Sequence, residues 1–260
     1  MAPRELIFIK FGGSLITDKS KPYTARQEVI DRLCGEIREA RKKRDLSLLI
    51  GHGGGSFPHV SASRYQTNRG VVDEHSWEGF IKVHEDAARL NAIVCDSFTR
   101  LGEPAATVQP SASCVARAGR IIDCYTRPIE LLLKAGLMPV VYGDVCLDEE
   151  QGMCVISTEE IFRGLAGALR PGRIILLGKV DGVLDVRGGV IPRITKADFA
   201  ELRASLLASD GIADVTGGML HKVERSLELG LPTRIINGLT PGNLRRALLG
   251  EQVPGTVVEG

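Results

Sequence analysis

The sequence predicts an α/β fold on a mostly parallel sheet, and three observations predict it. Short apolar runs alternate with longer amphipathic ones along the whole chain. Some short runs, RIILLG at Arg173–Gly178 above all, are apolar at nearly every residue, as suits a strand covered on both faces. No low-complexity linker interrupts the pattern, so one continuous sheet with two functional lobes is expected. The seam between the lobes is placed near residues 170–172.

Each element follows from its own signals. Residues 6–10 (LIFIK) read as a strand, ended by Gly12 and Gly13. Residues 27–44 read as a helix whose charged end, REARKKR, is a solvated face. Residues 46–50 (LSLLI) form a second strand. Residues 73–101 form a long helix, because Trp77, Phe80, Ile81, His84, Ala88, Ala92 and Cys95 recur at helical spacing. Residues 105–109 are a strand, 126–135 a helix capped by Gly136, and Met138–Tyr142 a strand ended by Gly143 and Asp144. Thr158–Leu169 is helical and stops before Pro171 and Gly172. Residues 196–209 and 217–229 are helices, 234–237 a strand, and 239–249 a helix with Pro241 near its start, where proline is tolerated. The terminal GTVV reads as an edge strand.

The bulk numbers exclude several classes. With 260 residues, 43% hydrophobic and 25% charged, the chain is ordinary for a globular protein with a sizeable core. A net charge of +1 and 5% aromatics favour neither nucleic acid nor a membrane surface. Cys34, Cys95, Cys114, Cys124, Cys146 and Cys154 contain no CxxC pair and read as buried free thiols of a reducing compartment. The first residues carry no secretory h-region, and no run is long enough to span a bilayer, so a cytoplasmic location is expected.

The chemistry gathers at glycines. Ligands of open α/β sheets bind beyond the carboxyl ends of the strands, where glycine lets backbone amides approach an anion. Four such junctions occur: Gly12-Gly13-Ser14, the stretch GHGGG from Gly51 to Gly55, Gly143-Asp144, and Thr216-Gly217-Gly218. Neither GxxxxGK[ST] nor GxGxxG is present, so a nucleotide would bind through another arrangement. Lys10 ends the first strand, Lys19 lies in the next loop and Lys222 follows the Gly217-Gly218 turn. Three lysines converging from separate loops would meet the need of phosphoryl transfer for positive charge on the migrating group. Lys21 reads as a surface charge.

Lys10-Phe-Gly-Gly-Ser14, His52-Gly-Gly-Gly55, Gly143-Asp144, Val180-Asp181-Gly182 and Asp214-Val-Thr-Gly-Gly-Met219 resemble the amino acid kinase superfamily in order and spacing, over nearly the whole chain. Within it, ITDK at 16–19, HGGGSFPH at 52–59, VQPSA at 108–112, PVVYGDV at 139–145, DVTGGM at 214–219 and INGLTPGNLRRALLGE at 236–251 are most similar to the isopentenyl phosphate kinase family. The resemblance implies a three-layer αβα sandwich, a homodimer, and transfer of the ATP γ-phosphoryl group, with Mg²⁺, to isopentenyl phosphate. It implies an acceptor lobe over residues 1–170 and an ATP lobe over 171–260. Lys10, Gly12, Gly13, Lys179, Asp181, Asp214, Gly217, Gly218 and Lys222 would then serve the nucleotide, and Lys19 would add charge on the same side. Gly53, Gly54, Gly55, His59, Gly143 and Asp144 would serve the acceptor phosphate, with Phe80 and Val83 beside its tail.

Residue chemistry supports a special place for His59. A phosphomonoester brings nearly two negative charges to the anionic γ-phosphate, and a histidine protonated beside it would offset the repulsion. The nucleophile is already ionised, so His59 is assigned to binding and charge stabilisation. His52 is assigned to shaping the turn, while His75 and His84 read as structural or exposed and His221 has no catalytic reading. Glu159 stands where the family carries an aspartate that orients the lysines, and Lys179 where it often carries an acid. Two alternatives remain open: a kinase for a phosphonate or another phosphomonoester, similar to fosfomycin kinases, and a non-catalytic nucleotide-binding sensor.

Overall fold

The computed structural model describes residues 4–185, 187–208 and 213–260, with the side chains of 204–208 and 213–218 outside the description. In chain order the elements are β1 (Leu6–Phe11), α1 (Gly13–Ile16), α2 (Gln27–Lys43), β2 (Ser47–His52), α3 (Pro58–Tyr65) and α4 (Ser76–Arg100). Then come β3 (Ala105–Thr107), α5 (Pro110–Ser113), β4 (Cys114–Arg117), β5 (Arg120–Cys124), α6 (Arg127–Lys134), β6 (Met138–Tyr142), β7 (Asp144–Asp148) and β8 (Gly152–Ile156). The last part holds α7 (Thr158–Leu169), β9 (Arg173–Gly178), β10 (Arg193–Thr195), α8 (Lys196–Ala208), α9 (Ala213–Leu229), β11 (Thr233–Asn237), α10 (Asn243–Leu249) and β12 (Thr256–Glu259).

Eight strands form the main sheet in the order β10-β12-β11-β9-β1-β2-β6-β3. All neighbours are parallel except β11 and β12. Strand alternation splits the core into two. Ile7, Ile9 and Phe11 face Ile30, Leu33 and Ile37 of α2, Leu90, Val94 and Phe98 of α4, and Leu244 and Leu248 of α10. Phe8 faces the opposite way, onto Phe162 of α7 with ring centroids 4.9 Å apart, among Ile129 of α6 and Val223 and Leu227 of α9. Helices therefore cover both faces of the sheet, the three-layer αβα arrangement.

The expectation of one continuous sheet is corrected. A second sheet of four strands, β5-β4-β7-β8, lies against the same core as Phe8. Its strands are four or five residues long, too short and too irregular in pattern to stand out in the sequence. Asp148 ties its two hairpins together by accepting from the amides of Ala118, Gly119, Glu150 and Gln151. The reading of six free thiols is corrected as well. Cys114 and Cys124 sit opposite one another in the antiparallel β4–β5 pair and are joined as a disulfide, while Cys34, Cys95, Cys146 and Cys154 are free. Their pairing depends on strand register, which spacing alone does not reveal.

Smaller differences have local causes. The helix expected from residue 239 begins at Asn243, because Gly242 takes a left-handed conformation at φ +84° and Pro241 precedes it. The terminal strand is not at the edge, since β10 pairs outside β12. Residues 213–216 join α9 ahead of the expected start at 217. No described helix is long and apolar enough to cross a membrane.

Candidate active site

The parallel register lines up the carboxyl ends of five strands. Phe11 pairs with both His52 and Leu177, His52 with Tyr142, and Leu177 with Ile236. The loops after β1, β2, β6, β9 and β11 consequently leave the sheet along one edge, and three of the four predicted glycine junctions meet there.

The first two are packed backbone on backbone. A side chain on Gly13 would place its Cβ 2.5 Å from Gly55 N, so only glycine permits the crossing. Gly55 itself takes φ +56°. Thr17 Oγ1 donates to Gly13 O at 2.8 Å and accepts from Ser56 N at 3.0 Å, bolting the loops together. Gly12 N donates to Leu177 O and Gly53 N to Phe11 O, both at 2.9 Å, so these two amides are spent on the fold. Among the described residues the amides of Gly54 and Gly55 have no acceptor. Both residues lie just ahead of α3, whose first turn carries His59, and a helix N-terminus adds partial positive charge there. The third junction adjoins them: Gly143 N donates to His52 O at 2.9 Å, and a Cβ on Gly143 would lie 3.8 Å from Gly54 N.

The two histidines of this loop separate cleanly. His52 is fully buried, its Nε2 3.2 Å from Asn91 Oδ1 and its ring stacked on Tyr142. Burial pushes its pKa down to about 4, outweighing those hydrogen bonds, so it is neutral and structural. His59 is exposed, and the atoms packed around the ring, then the charge of Lys19, lower its pKa. An arriving anion would act in the opposite direction. Lys19 reaches this place because its loop hangs from the glycine turn: Tyr23 N donates to Ser56 O and Thr24 N to Ser56 Oγ.

Charge concentrates one strand further on. Lys10, on the same face of β1 as Phe8, donates from Nζ to Glu159 Oε1 in the first turn of α7. Both side chains are about nine-tenths buried (10% and 9% exposed). Burial alone would raise the Glu159 carboxyl, but Lys10, with Lys222 behind it, holds it below the ordinary glutamate value. The longer side chain of glutamate thus spans to Lys10 from the position where an aspartate was the expected residue. Lys222 on α9 is lowered by burial first and then by the charges of Lys10 and Lys19, with Glu159 opposing. Three cations with one carboxylate between them leave this edge positive, which suits a polyanion.

Lys179 and Asp181 stand exposed beyond β9, where Asp181 accepts from Asn237 Nδ2 at the end of β11 at 2.9 Å. Asp214, Gly217 and Gly218 fall in the first turns of α9, and their surroundings lie outside the described residues. On α4, Val83 is only 1% exposed and Phe80 is partly covered by Trp77, 6.0 Å away.

Other participants were not singled out by the sequence. His84 of α4 places Nδ1 3.1 Å from both oxygens of the buried Asp144, and that hydrogen bond raises the His84 pKa. Asp144 also accepts from the amides of Ser111 and Val145, so this carboxylate is engaged on several sides. Buried Asp86 of α4 accepts from Ser61 Oγ of α3 and clamps the helix that carries His59. The available signal was polar residues on an apolar stripe: His84 and Asn91 follow helical spacing with the buried Ala87.

The amino acid kinase family model matches residues 5–237. The chain is 37% identical to the isopentenyl phosphate kinase of Methanothermobacter thermautotrophicus, over 98% of this chain and 99% of that one. It is 32% identical to the isopentenyl phosphate kinase of Methanocaldococcus jannaschii, over 98% of each. A solved isopentenyl phosphate kinase structure superposes with a TM-score of 0.82 at 34% identity, covering 97% of this chain and 99% of that one.

Proposed function

The chain belongs to the amino acid kinase family, and from that premise we propose that it transfers the γ-phosphoryl group of ATP to the phosphate of isopentenyl phosphate, giving isopentenyl diphosphate and ADP. One observation carries the reading beyond the name of its full-length relatives. The amides of Gly54 and Gly55 take no acceptor among the described residues, His59 stands exposed on the helix that follows, and Lys10, Glu159 and Lys222 interact as a separate group; in this reading the first three hold the acceptor phosphate and the lysines hold the γ-phosphate. A kinase whose acceptor is itself a phosphate needs two anion sites side by side.

In this reading an acceptor oxygen attacks the γ-phosphorus, a new P–O bond forms, and the bond to the β–γ bridging oxygen breaks as ADP leaves. The acceptor oxygen carries no proton to remove. His59, kept protonated by the anionic phosphate beside it, offsets the approach of two anions, and Lys10 and Lys222 take up charge on the equatorial oxygens of the moving group. Glu159 keeps the two lysines apart and aimed. Phe80 and Val83 flank the hydrocarbon tail. Lys179, Asp181 and the 214–218 segment lie toward the nucleotide, so residues 1–170 act as the acceptor lobe and 171–260 as the ATP lobe. Among the described residues no three His, Cys, Asp or Glu side chains gather as a metal cage. Mg²⁺, which the family reading implies, would supply charge between the ATP phosphates. A homodimer in the cytoplasm belongs to the same reading.

Steady-state assays with ATP and a panel of acceptors test it. The expected outcome is the highest kcat/KM with isopentenyl phosphate. An equal kcat/KM with a phosphonate would overturn the acceptor assignment, and no ADP from any phosphomonoester would leave a nucleotide sensor.

A further inference from the structure

The two glutamates that open α7 do opposite things. Glu159 turns into the site. Glu160, 5% exposed, turns away from it and accepts from Ile121 N at 2.8 Å and from the Arg163 guanidinium at 2.5 Å. Two more guanidiniums reach toward the same carboxylate. Arg120 of β5 lies 3.7 Å from Glu160 and 3.1 Å from Glu228, and Arg225 of α9 lies 3.8 Å from Glu160 and 2.7 Å from Glu228. Glu160, Arg120, Glu228 and Arg225 thus close a ring of alternating charge that joins β5, α7 and α9.

The ring has a mechanical consequence. α9 packs into the core under the sheet through Met219, Val223 and Leu227, and apolar contacts of this kind are non-directional. They fix which face of α9 is inward but not its exact slide or rotation along α7. The ring does. Arg225 lies one helical turn after Lys222, so a shift of Arg225 against Glu160 moves Lys222 by the same amount. Lys222 is also tied into this turn, because its carbonyl accepts from Ser226 Oγ at 2.7 Å.

We propose that Glu160 and Arg225 are positioning residues, which hold α9 against α7 at the setting that delivers Lys222 beside Glu159 and Lys10. The sequence of α7 then divides the labour between neighbours: Glu159 orients Lys10 directly, and Glu160 orients Lys222 through its helix. The inference rests on the kinase reading only for its kinetic readout.

A double-mutant cycle tests it, with Arg225→Met and Glu160→Gln made singly and in a Lys222→Met background, and Arg225→Lys as the conservative control. Arg225→Met is expected to lower kcat by about ten- to a hundredfold, the scale of a misplaced catalytic group. The KM for isopentenyl phosphate should stay within about twofold, and Arg225→Lys should recover most of the loss. Added to Lys222→Met, the Arg225 and Glu160 changes should alter kcat by less than about twofold, because they act through the missing lysine. An equal fold-loss in both backgrounds, or a lowered melting temperature with kcat intact, overturns the proposal. The dissociation constant for ATP, measured by calorimetry without acceptor, runs the same cycle independently. If the wild-type chain binds ATP but transfers nothing, the kinase reading fails alone. Weakening by Arg225→Met only where Lys222 is present still supports the positioning role, and equal weakening in both backgrounds refutes it. A chain that binds no ATP overturns both.

Discussion

The two halves of the site are held by different forces. The glycine-loop half is fixed mostly by neutral contacts: Gly13 against Gly55, Thr17 against Gly13 and Ser56, Thr158 Oγ1 donating to His52 O at 2.7 Å, and His52 against Asn91, with the Asp86 and Asp144 carboxylates at its margin. The lysine half is fixed by charge, through Lys10–Glu159 and the Glu160 ring. Neutral backbone packing is insensitive to salt and tolerates little change in shape. Buried charge tolerates changes of shape but not the loss of one partner. The first design suits a rigid cradle for a small phosphate. The second suits a place where charge moves during the reaction and the groups must respond to it.

The largest expected effect comes from breaking the charged half. Glu159→Ala leaves Lys10 buried, cationic and facing Lys222 with no carboxylate between them. Removing one partner of a buried pair costs about 3–5 kcal/mol, so unfolding in denaturant should move by that order. Glu159→Asp keeps the charge on a shorter stem and should recover part of it. Full stability in Glu159→Ala would show that the lysine half does not depend on charge pairing, and the contrast between the halves would collapse.

Next comes the group that serves the cradle without building it. His59 is exposed on α3 and takes no part in the neutral contacts, so His59→Ala should leave stability nearly unchanged. Loss of one preorganised charge-stabilising group costs ~10²–10³ in rate, so kcat/KM should fall by that factor. His59→Gln, with a donor but no charge, should fall between. Near-normal kcat/KM in His59→Ala sinks the assignment.

The same contrast explains what the sequence could reveal. Glycine crossings, strand ends and Lys10 are local features, and the order of motifs along the chain carried the fold class and most of the cradle. The charged half was legible as types but not as pairs. Lys10 and Glu159 lie 149 residues apart, and Glu160 meets Arg225 from another helix; nothing in spacing announces such partners. The four-stranded sheet and the Cys114–Cys124 bond escaped for the related reason that strand register is a tertiary property. His84 looked peripheral because its partner, Asp144, is supplied by a strand that begins where the sequence suggested a turn.

The smallest expected effect sharpens the neutral half. His52 has a pKa of about 4 in the folded chain against an ordinary value of 6.5. Below pH 6.5 the unfolded chain takes up a proton that the folded chain refuses, so stability falls as pH drops from 6.5 through about 4 and then levels. The interval between the two values corresponds to about 3 kcal/mol. His84 acts with the opposite sign: its raised pKa gives stability that is complete below 6.5 and is lost as pH rises through the folded value. His59, its pKa also lowered, acts with His52, so wild-type stability between pH 7 and 4.5 sums terms of both signs and a variant is needed to isolate any one. His52→Gln removes the refused proton and should shrink the loss between pH 7 and 4.5 by about 2–3 kcal/mol, whatever constant cost the substitution adds. Urea titrations at the two pH values read it, and at pH 4.5 Asp148, held near 2, is still ionised. Parallel pH dependence in wild type and His52→Gln would mean that His52 is charged in the folded protein. The cradle would then contain a cation, and the division between a neutral half and a charged half would have to be redrawn.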